Sequence, residues 1–548
     1  MKRQGFLAGR INDGNAKWFV LAASCFGLFM ALLDNLVVNV ALPTMQRDLD
    51  ASTSQLQWIV SAYTLVFASL QITGGGLGDR FGRKRWFLIG LVIFTGTSFV
   101  AAFVNSIEQL IVVRAIQGLG AALIMPLSLS LISAAFPPEE RGRAIGIWSA
   151  VSVSSLALGP VVGGLIIEYT SWHWIFLINV PIGIIAFLVT QAVVQETRDE
   201  SGTVATDVPG TILITGAIAS LTYALIQAGD RGWGDSLIVA AFGAAFVLGV
   251  AFVWVEARTE RPMVPLRFFK SRNFTGANID AFMISFGLTG VSFFLTLYQQ
   301  NVHGFSPVRT GLASLPIVVS MMVLSPITGG LVNTLGSRKL IAAGMAITGG
   351  GFFLMLLSGV EASYWRLLPS FIVMGVGMSG IWAPMTTAVL NSVDPEKSGI
   401  ASAVNGAIRE IGTAFGVALL GTIASRAYVD KYSTDGTISG LKADPANAPI
   451  VGWIDEIGKN AVSAGASGVS FIPEDLRTQF SGALQTLELR SSIAFMSGMD
   501  RAIILSGIGL LVTAVVSYVL IRDDEVVQPF NVAQEASVAA EPEVAGVR

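Results

Sequence analysis

One cysteine, two histidines and 13% charged side chains are all that 548 residues contain, and each shortage closes off a class of function. Cys25 has no partner for an intrachain disulfide, and with only His173 and His303 beside it there is no Cys/His metal set. No cofactor or metal is therefore expected. A net charge of −3 leaves no basic surplus to neutralise a phosphate backbone, which argues against nucleic acid as a partner. Soluble proteins carry about 25% charged residues, roughly twice the share found here. No HExxH, GxSxG or P-loop GxxxxGK-S/T pattern occurs, so the chain is not expected to be an enzyme or to use ATP.

What the chain does have is long apolar runs, with 53% hydrophobic residues and a mean hydropathy of +0.66. A helix that crosses a bilayer needs about 20 mostly apolar residues, and the runs here are continuous, not alternating as in barrel strands. Fourteen runs qualify: 17–42, 56–76, 86–104, 109–132, 144–167, 173–194, 208–228, 237–256, 273–299, 310–332, 340–358, 366–390, 399–425 and 501–521. The first carries Asp34 and lacks a small-residue cleavage site, so it reads as a retained helix, not a signal peptide. Placing the N-terminus in the cytoplasm puts 21 of the 34 Lys and Arg in inner segments and 10 in outer ones. The expectation is an all-α polytopic membrane protein of the plasma (inner) membrane with both termini cytoplasmic. It would work as a monomer, with the lipid bilayer, protons and a small-molecule substrate as its partners.

An internal echo divides the chain. After the second run it reads GGLGDRFGRK (residues 75–84), and after the tenth GGLVNTLGSR (residues 329–338). A second echo pairs Gly118-x-Gly120 and Pro126 with Gly375-x-Gly377 and Pro384. Runs 1–6 and 9–14 then form two equivalent six-helix bundles, with runs 7–8 an inserted pair. The divisions are a cytoplasmic N-terminus 1–16, a first bundle 17–194, a linker with two extra helices 195–272, a second bundle 273–521 and a disordered cytoplasmic tail 522–548. The second bundle includes a long polar external loop, 426–500, expected to hold a short amphipathic helix near 473–489. Two related bundles around a midplane site is the arrangement of transporters that rock one half against the other.

Five ionisable side chains fall well inside the runs: Asp34, Arg114, Asp280, Arg409 and Glu410. A charge at a helix centre costs about 2.5–3.5 kcal/mol on insertion scales, so each calls for a partner or a watery cavity. At ~1.5 Å per residue the depths of Asp34 and Arg114 agree within about 5 Å, which permits a pair across the cavity. Arg409 and Glu410 are adjacent and point about 100° apart, so they do not pair face to face. Asp280 has Asn278 nearby and no obvious basic partner. With no histidine in the interior of any run, proton transfer falls to Asp34, Glu410 and Asp280. The bland alternative for each carboxylate is a structural ion pair or hydrogen bond.

Glycine and proline mark the contacts and gates. Gly159-Pro160-x-x-Gly163-Gly164 places Gly159 and Gly163 on one helix face, where backbones approach closely, and Pro160 bends the helix. The site reads as a hinge or a seal between the halves. In the first inner loop, Asp79, Arg80, Arg83, Lys84 and Arg85 face a second inner loop carrying Glu139 and Glu140, which suggests a charge-locked inner gate.

These segments together resemble the major facilitator superfamily, in its fourteen-span drug:proton antiporter branch. The resemblance rests on Leu33-Asp34-Asn35-Leu36 through Pro43, on 75–84, on Arg114-x-x-Gln117-Gly118-x-Gly120 and on Gly159-Pro160-x-x-Gly163-Gly164. Trp172-His173-Trp174 through Asn179-x-Pro181, and residues 405–412, also fit. It implies that Asp34 and Arg114 take part in proton coupling, Asp79 and Arg83 in inner gating, and Gly159 and Pro160 in keeping antiport tight. Three positions depart from the family pattern: Leu36 where Thr is common, His173 where Arg is common, and Ser155 for the first Gly of the antiporter signature.

The expected activity is proton-coupled export of amphipathic, often cationic, drugs or toxic compounds. Asn35, Trp58, Tyr63, Phe282, Phe286, Met378 and Trp382 are the candidate cargo contacts, the aromatic and Met side chains offering apolar and cation–π surface. The alternative is a narrow-specificity exporter of an endogenous lipid or secondary metabolite. Nutrient symport sits poorly with the fifth-run signature, and a non-transporting sensor has no need of buried carboxylates in both halves.

Overall fold

In a lipid-like interior every backbone N–H and C=O has to be satisfied within its own segment, so runs this long and apolar fold as helices. The computed structural model describes residues 16–49, 53–198, 207–259, 262–394, 397–459 and 464–523, and among them there is no β-strand. The expected N-terminus 1–16, apart from Ala16, and the tail beyond Asp523 lie outside the described residues.

The first half holds α1 (Ala16–Asp48), α2 (Thr53–Phe81), α3 (Arg83–Ala101), α4 (Ile107–Ala135), α5 (Pro138–Tyr169), a four-residue α6 (Trp174–Leu177) and α7 (Asn179–Val193). Next come α8 (Val208–Arg231) and α9 (Ser236–Glu256). The second half holds α10 (Arg272–Leu297), the short α11 (Pro307–Ala313), α12 (Leu315–Leu335), α13 (Ser337–Met355), α14 (Tyr364–Asn391) and α15 (Ser398–Phe415). A π-helical turn, Gly416–Leu420, leads into α16 (Gly421–Ser433), and four short helices follow: α17 (Gly436–Ala443), α18 (Val451–Lys459), α19 (Ala466–Ser470) and α20 (Glu474–Gln479). The last helix, α21, runs for 40 residues, Ser481–Leu520. Among the described residues, twelve helical stretches are long and apolar enough to cross a membrane. The expected fifth and eleventh spans, in α5 and α13, are not among them; α5 opens with four charged residues and α13 carries Gly349–Gly351. Fourteen spans are thus not established by length and apolarity.

Packing repeats between the halves. In the first, α1 packs on α4, α5 and α7, α2 on α4, and α3 on α4 and α7. In the second, α10 packs on α14, α15 and α21, α12 on α14, and α13 on α14 and α21. The glycine echoes serve the same contacts. A Cβ on Gly118 would lie 2.5 Å from the Tyr63 carbonyl of α2, and one on Gly375 would lie 2.6 Å from the Ile317 carbonyl of α12. Gly82 (φ 113°) and Gly336 (φ 80°) open α3 and α13 in the left-handed region, where a side chain would be strained.

The halves meet along α2 against α15 and α5 against α12, with α4 on α15 and α5 on α14 beside them; α8 lies on α2 and α15, and α9 packs on α8. The seam is tightest toward the face where α1 begins, called here the near face. There Gly142 of α5 abuts Gly329 of α12 backbone to backbone, leaving no room for a Cβ on either. This corrects the expected seal: Gly159 and Gly163 of α5 pack on Leu36 and Val37 of α1, inside the first half. Pro160 has no described side chain, but the α5 helix continues unbroken through its position.

The segment expected as a polar loop, 426–500, is instead a packed helical cap on the far face. Tyr428 donates to the Ile457 carbonyl at 2.9 Å and Tyr432 to the Ile454 carbonyl at 2.8 Å, over buried Ile438, Ile450, Leu484 and Leu487. The amphipathic helix expected near 473–489 is split between six-residue α20 and the start of α21. Scattered apolar residues of this segment make no 20-residue run, yet converge on the two tyrosines once α16 and α21 pack together.

Because the near-face seam has no space at Gly142, Gly142→Val is predicted to cost the closed arrangement about 1–3 kcal/mol through overpacking. In a Cys25→Ser background, a cysteine at Asn391 should then react faster with a maleimide. Unchanged reactivity would show that the seam does not hold this face shut.

Candidate functional site

Five helices of the first half converge on one buried polar knot. Arg114 of α4 donates through Nη1 to Asp34 Oδ2 of α1 in a salt bridge whose members are 0% and 1% exposed. Nη1 also donates to Gln117 Oε1 at 2.7 Å. Gln117 Nε2 in turn donates to Asp34 Oδ1 at 3.1 Å and to Ser98 Oγ of α3 at 2.7 Å. Asn179 Nδ2, at the start of α7, donates to the same Asp34 oxygen at 2.7 Å and to Ser98 at 3.1 Å. From α2, the Ile59 carbonyl accepts from Arg114 Nε at 3.4 Å, and the Tyr63 ring lies 4.3 Å beneath the guanidinium. A buried ion pair is supported by further hydrogen bonds to its remaining polar atoms, and here neutral donors complete the carboxylate, while Arg114 Nη2 has no partner among the described residues.

The Asp34–Arg114 pair expected across the cavity is therefore sealed inside the first half, between α1 and α4. Tyr63, a candidate cargo contact, is 3% exposed and donates to the Ala31 carbonyl at 3.3 Å, so it belongs to the knot. The i, i+3 spacing of Arg114 and Gln117 is the sequence signal for that partnership. Ser98 and Asn179 have no such signal, because only packing brings α3 and α7 to α1.

The second half holds its charges differently. Asp280 of α10 is fully buried and accepts from Ser517 Oγ of α21 at 2.5 Å, while its other oxygen has no partner. Asn278 accepts from Asn405 of α15 at 3.1 Å and does not touch Asp280. Arg409 and Glu410, midway along α15, are only half-buried. The Arg409 guanidinium stacks 4.3 Å above the Trp382 ring of α14. Neither Arg409 nor Glu410 forms an ion pair or side-chain hydrogen bond among the described residues. Both His173 and His303 lie outside the membrane-crossing stretches, and burial holds each below the ordinary imidazole range.

Of the remaining cargo candidates, Trp58 packs on Tyr223 of α8, its ring centroid 6.3 Å away. Phe282 and Phe286 stack at 6.2 Å and line the α10–α15 contact. Met378, 2% exposed, joins Val153, Val318 and Met321 in a small apolar cluster between the halves, with Trp382 packed against it. Asn35 is half-buried on α1.

At the near face, Asp79 is fully buried at the end of α2, where it accepts from Arg83 Nε at 2.8 Å. It also accepts from the backbone N–H of Gly399 at 3.1 Å and of Ile400 at 2.9 Å, capping the first turn of α15 across the seam. The repeat places Asn333 at the equivalent end of α12, where it donates to the Glu139 carbonyl at 2.6 Å. The expected lock between the first-loop cations and Glu139 and Glu140 does not form: Glu140 pairs with Lys17 at 2.5 Å. Instead Glu196, just beyond α7, accepts from the N–H groups of Lys84 at 3.0 Å and Arg85 at 3.1 Å. Asp523, just beyond α21, caps Arg338 in the same way at 3.1 Å.

A family model described as Major Facilitator Superfamily matches residues 24–417. The chain is 34% identical over 504 residues to the tetracenomycin C resistance and export protein of Streptomyces glaucescens, covering 91% of each. It is 35% identical over 409 residues to the multidrug resistance protein Stp of Mycobacterium tuberculosis, covering 74% of this chain and 75% of that one. Among solved structures, the human organic anion transporter MFSD10 (TETRAN) superposes with a TM-score of 0.59 at 12% identity, covering 90% of this chain and 99% of that one.

Removing one member of the knot strands a buried charge, whereas neutralising both does not. Arg114→Leu is predicted to destabilise by about 3–5 kcal/mol. The double variant Asp34→Asn, Arg114→Gln should lose much less, as read from thermal unfolding of the purified protein. Equal losses would show that the neutral donors, not the ion pair, carry the stability.

Proposed function

The chain belongs to the major facilitator superfamily, and on that premise we propose that it is a proton-coupled antiporter exporting amphipathic drugs or toxic compounds. One observation carries the proposal: a carboxylate buried at mid-helix, Asp34, is paired directly with Arg114 and completed by neutral donors from two helices, Gln117 of α4 and Asn179 of α7. Such a group is kept in an apolar interior when its charge state is used. The resistance and export proteins among the relatives support the same reading.

In this reading the chain spans the plasma membrane fourteen times, α5 and α13 included, with both termini and the near face cytoplasmic. Residues 17–194 and 273–521 are the two moving halves of a monomer, and 195–272 joins them. The described state is closed on the cytoplasmic side. Protonating Asp34 removes the charge that Arg114 and Asn179 are organised around, so the knot relaxes and the α1–α4 and α1–α7 contacts shift. The near-face seam, latched by Asp79 on α15, then opens and cargo enters. Glu410, unpaired on α15, supplies a second proton site facing the cargo, and Asp280 a third that fixes α10 against α21. Export of a single secondary metabolite is the narrower reading, favoured by the relative named for tetracenomycin C.

Everted vesicles energised with a proton gradient test the mechanism. Wild type should accumulate ethidium until a protonophore is added, whereas Asp34→Asn and Glu410→Gln should each lower gradient-driven uptake by roughly two orders of magnitude while leaving downhill exchange measurable. Intact gradient-driven uptake in both variants would remove the carboxylates from the coupling path.

A further inference from the structure

We propose that the cargo site is a two-ended polar clamp on α14 and α15 that selects amphoteric compounds. Arg409 with Trp382 receives a carboxylate or phenolate, and Glu410 receives an amine or other donor of the same molecule. The inference rests on the export reading above and narrows its substrate class.

Two orphaned donors mark one end. Arg409 Nε and the indole Nε1 of Trp382 are both buried and without a hydrogen-bond acceptor, although the two side chains stack at 4.3 Å. Buried N–H groups are nearly always partnered, so two unused donors on stacked side chains call for an acceptor. A guanidinium presents a planar fork that matches a carboxylate, and its half-buried state leaves part of that fork open. One face of Trp382 already carries an internal cation, so the cation–π contact expected there for a cationic cargo is taken by Arg409.

The location is at the junction of the halves. Trp382 packs against the apolar cluster formed by Val153 of α5, Val318 and Met321 of α12 and Met378 of α14, so the apolar wall beside the clamp comes from both halves. Glu410 follows Arg409 by one residue and points about 100° away, which keeps the two heads separate on one helix. A cargo amine on Glu410 competes with a proton for the same carboxylate, as antiport requires. The acceptor on Arg409 is indifferent to that exchange and supplies recognition.

The test uses rhodamine B, which has a free carboxylate beside a cationic ring system, and its ethyl ester, which lacks only the anion. Binding to the purified full-length protein in nanodiscs is read by fluorescence polarisation. Wild type should bind rhodamine B about tenfold more tightly than the ester, the size of one charge-assisted hydrogen bond. Arg409→Gln should abolish that preference by weakening rhodamine B about tenfold more than the ester, and Arg409→Lys should retain part of it. Trp382→Phe, which keeps the ring and removes the N–H, should reduce the preference several-fold and guards against a folding defect in the arginine variant. No preference in wild type, no binding of either dye, or equal weakening of both dyes by Arg409→Gln would overturn the clamp. If the preference is present and Arg409-dependent but no gradient-driven movement of rhodamine B occurs in vesicles, the clamp stands and the export reading fails.

Discussion

The pairing of Asp34 with Arg114 is the interaction around which the first half is arranged. An isolated carboxylate or guanidinium in a low-dielectric interior is so unfavourable that each requires the other. Their further hydrogen bonds go to Gln117, Asn179 and the Ile59 carbonyl, and Ser98 in turn accepts from Gln117 and Asn179. Those residues sit on α2, α3, α4 and α7, so satisfying one charge pair fixes the approach of four helices to α1. Helix packing in a membrane lacks the strong hydrophobic drive available in water, and polar contacts and small residues set the geometry instead. The knot and the glycine seams are the two forms that constraint takes in this chain.

The two halves repeat in packing but not in charge. α10 stands to α21 as α1 stands to α7, yet Asp280 meets a serine where Asp34 meets an arginine, a glutamine and an asparagine. At the near face, Asp79 caps α15 as an anion on a helix N-terminus, while Asn333 touches α5 as a neutral donor on a carbonyl. An anion at the position of Asn333 would face a first turn that already carries Glu139 and Glu140. A symmetric frame with an asymmetric distribution of charge gives the seam one charged cap and one neutral contact.

The acidic residues beyond the last helix of each half show how local chemistry is reused. Glu196 and Asp523 each fill the space beside a glycine of positive φ and accept from backbone N–H groups in the first turn of an earlier helix, α3 for Glu196 and α13 for Asp523. This ties α7 to the α2–α3 turn and α21 to the α12–α13 turn.

Hydropathy, loop charge and the echo of 75–84 in 329–338 were enough to read an all-helical membrane chain and its internal repeat, because those properties depend on composition and short-range order. Asp34, Arg114, Asp280, Arg409 and Glu410 were visible too, since a charge inside an apolar run stands out whatever it touches. Their partners were not. Ser98, Asn179 and Ser517 are unremarked polar residues in sequence, and they matter only because packing brings α3, α7 and α21 to a buried carboxylate. Tertiary structure also moved the seal from Gly159 and Gly163 to Gly142 and Gly329, and turned 426–500 from a loop into a packed cap. The periodicity of one helix tells which side chains share a face, but which neighbour that face meets is decided by contacts hundreds of residues apart.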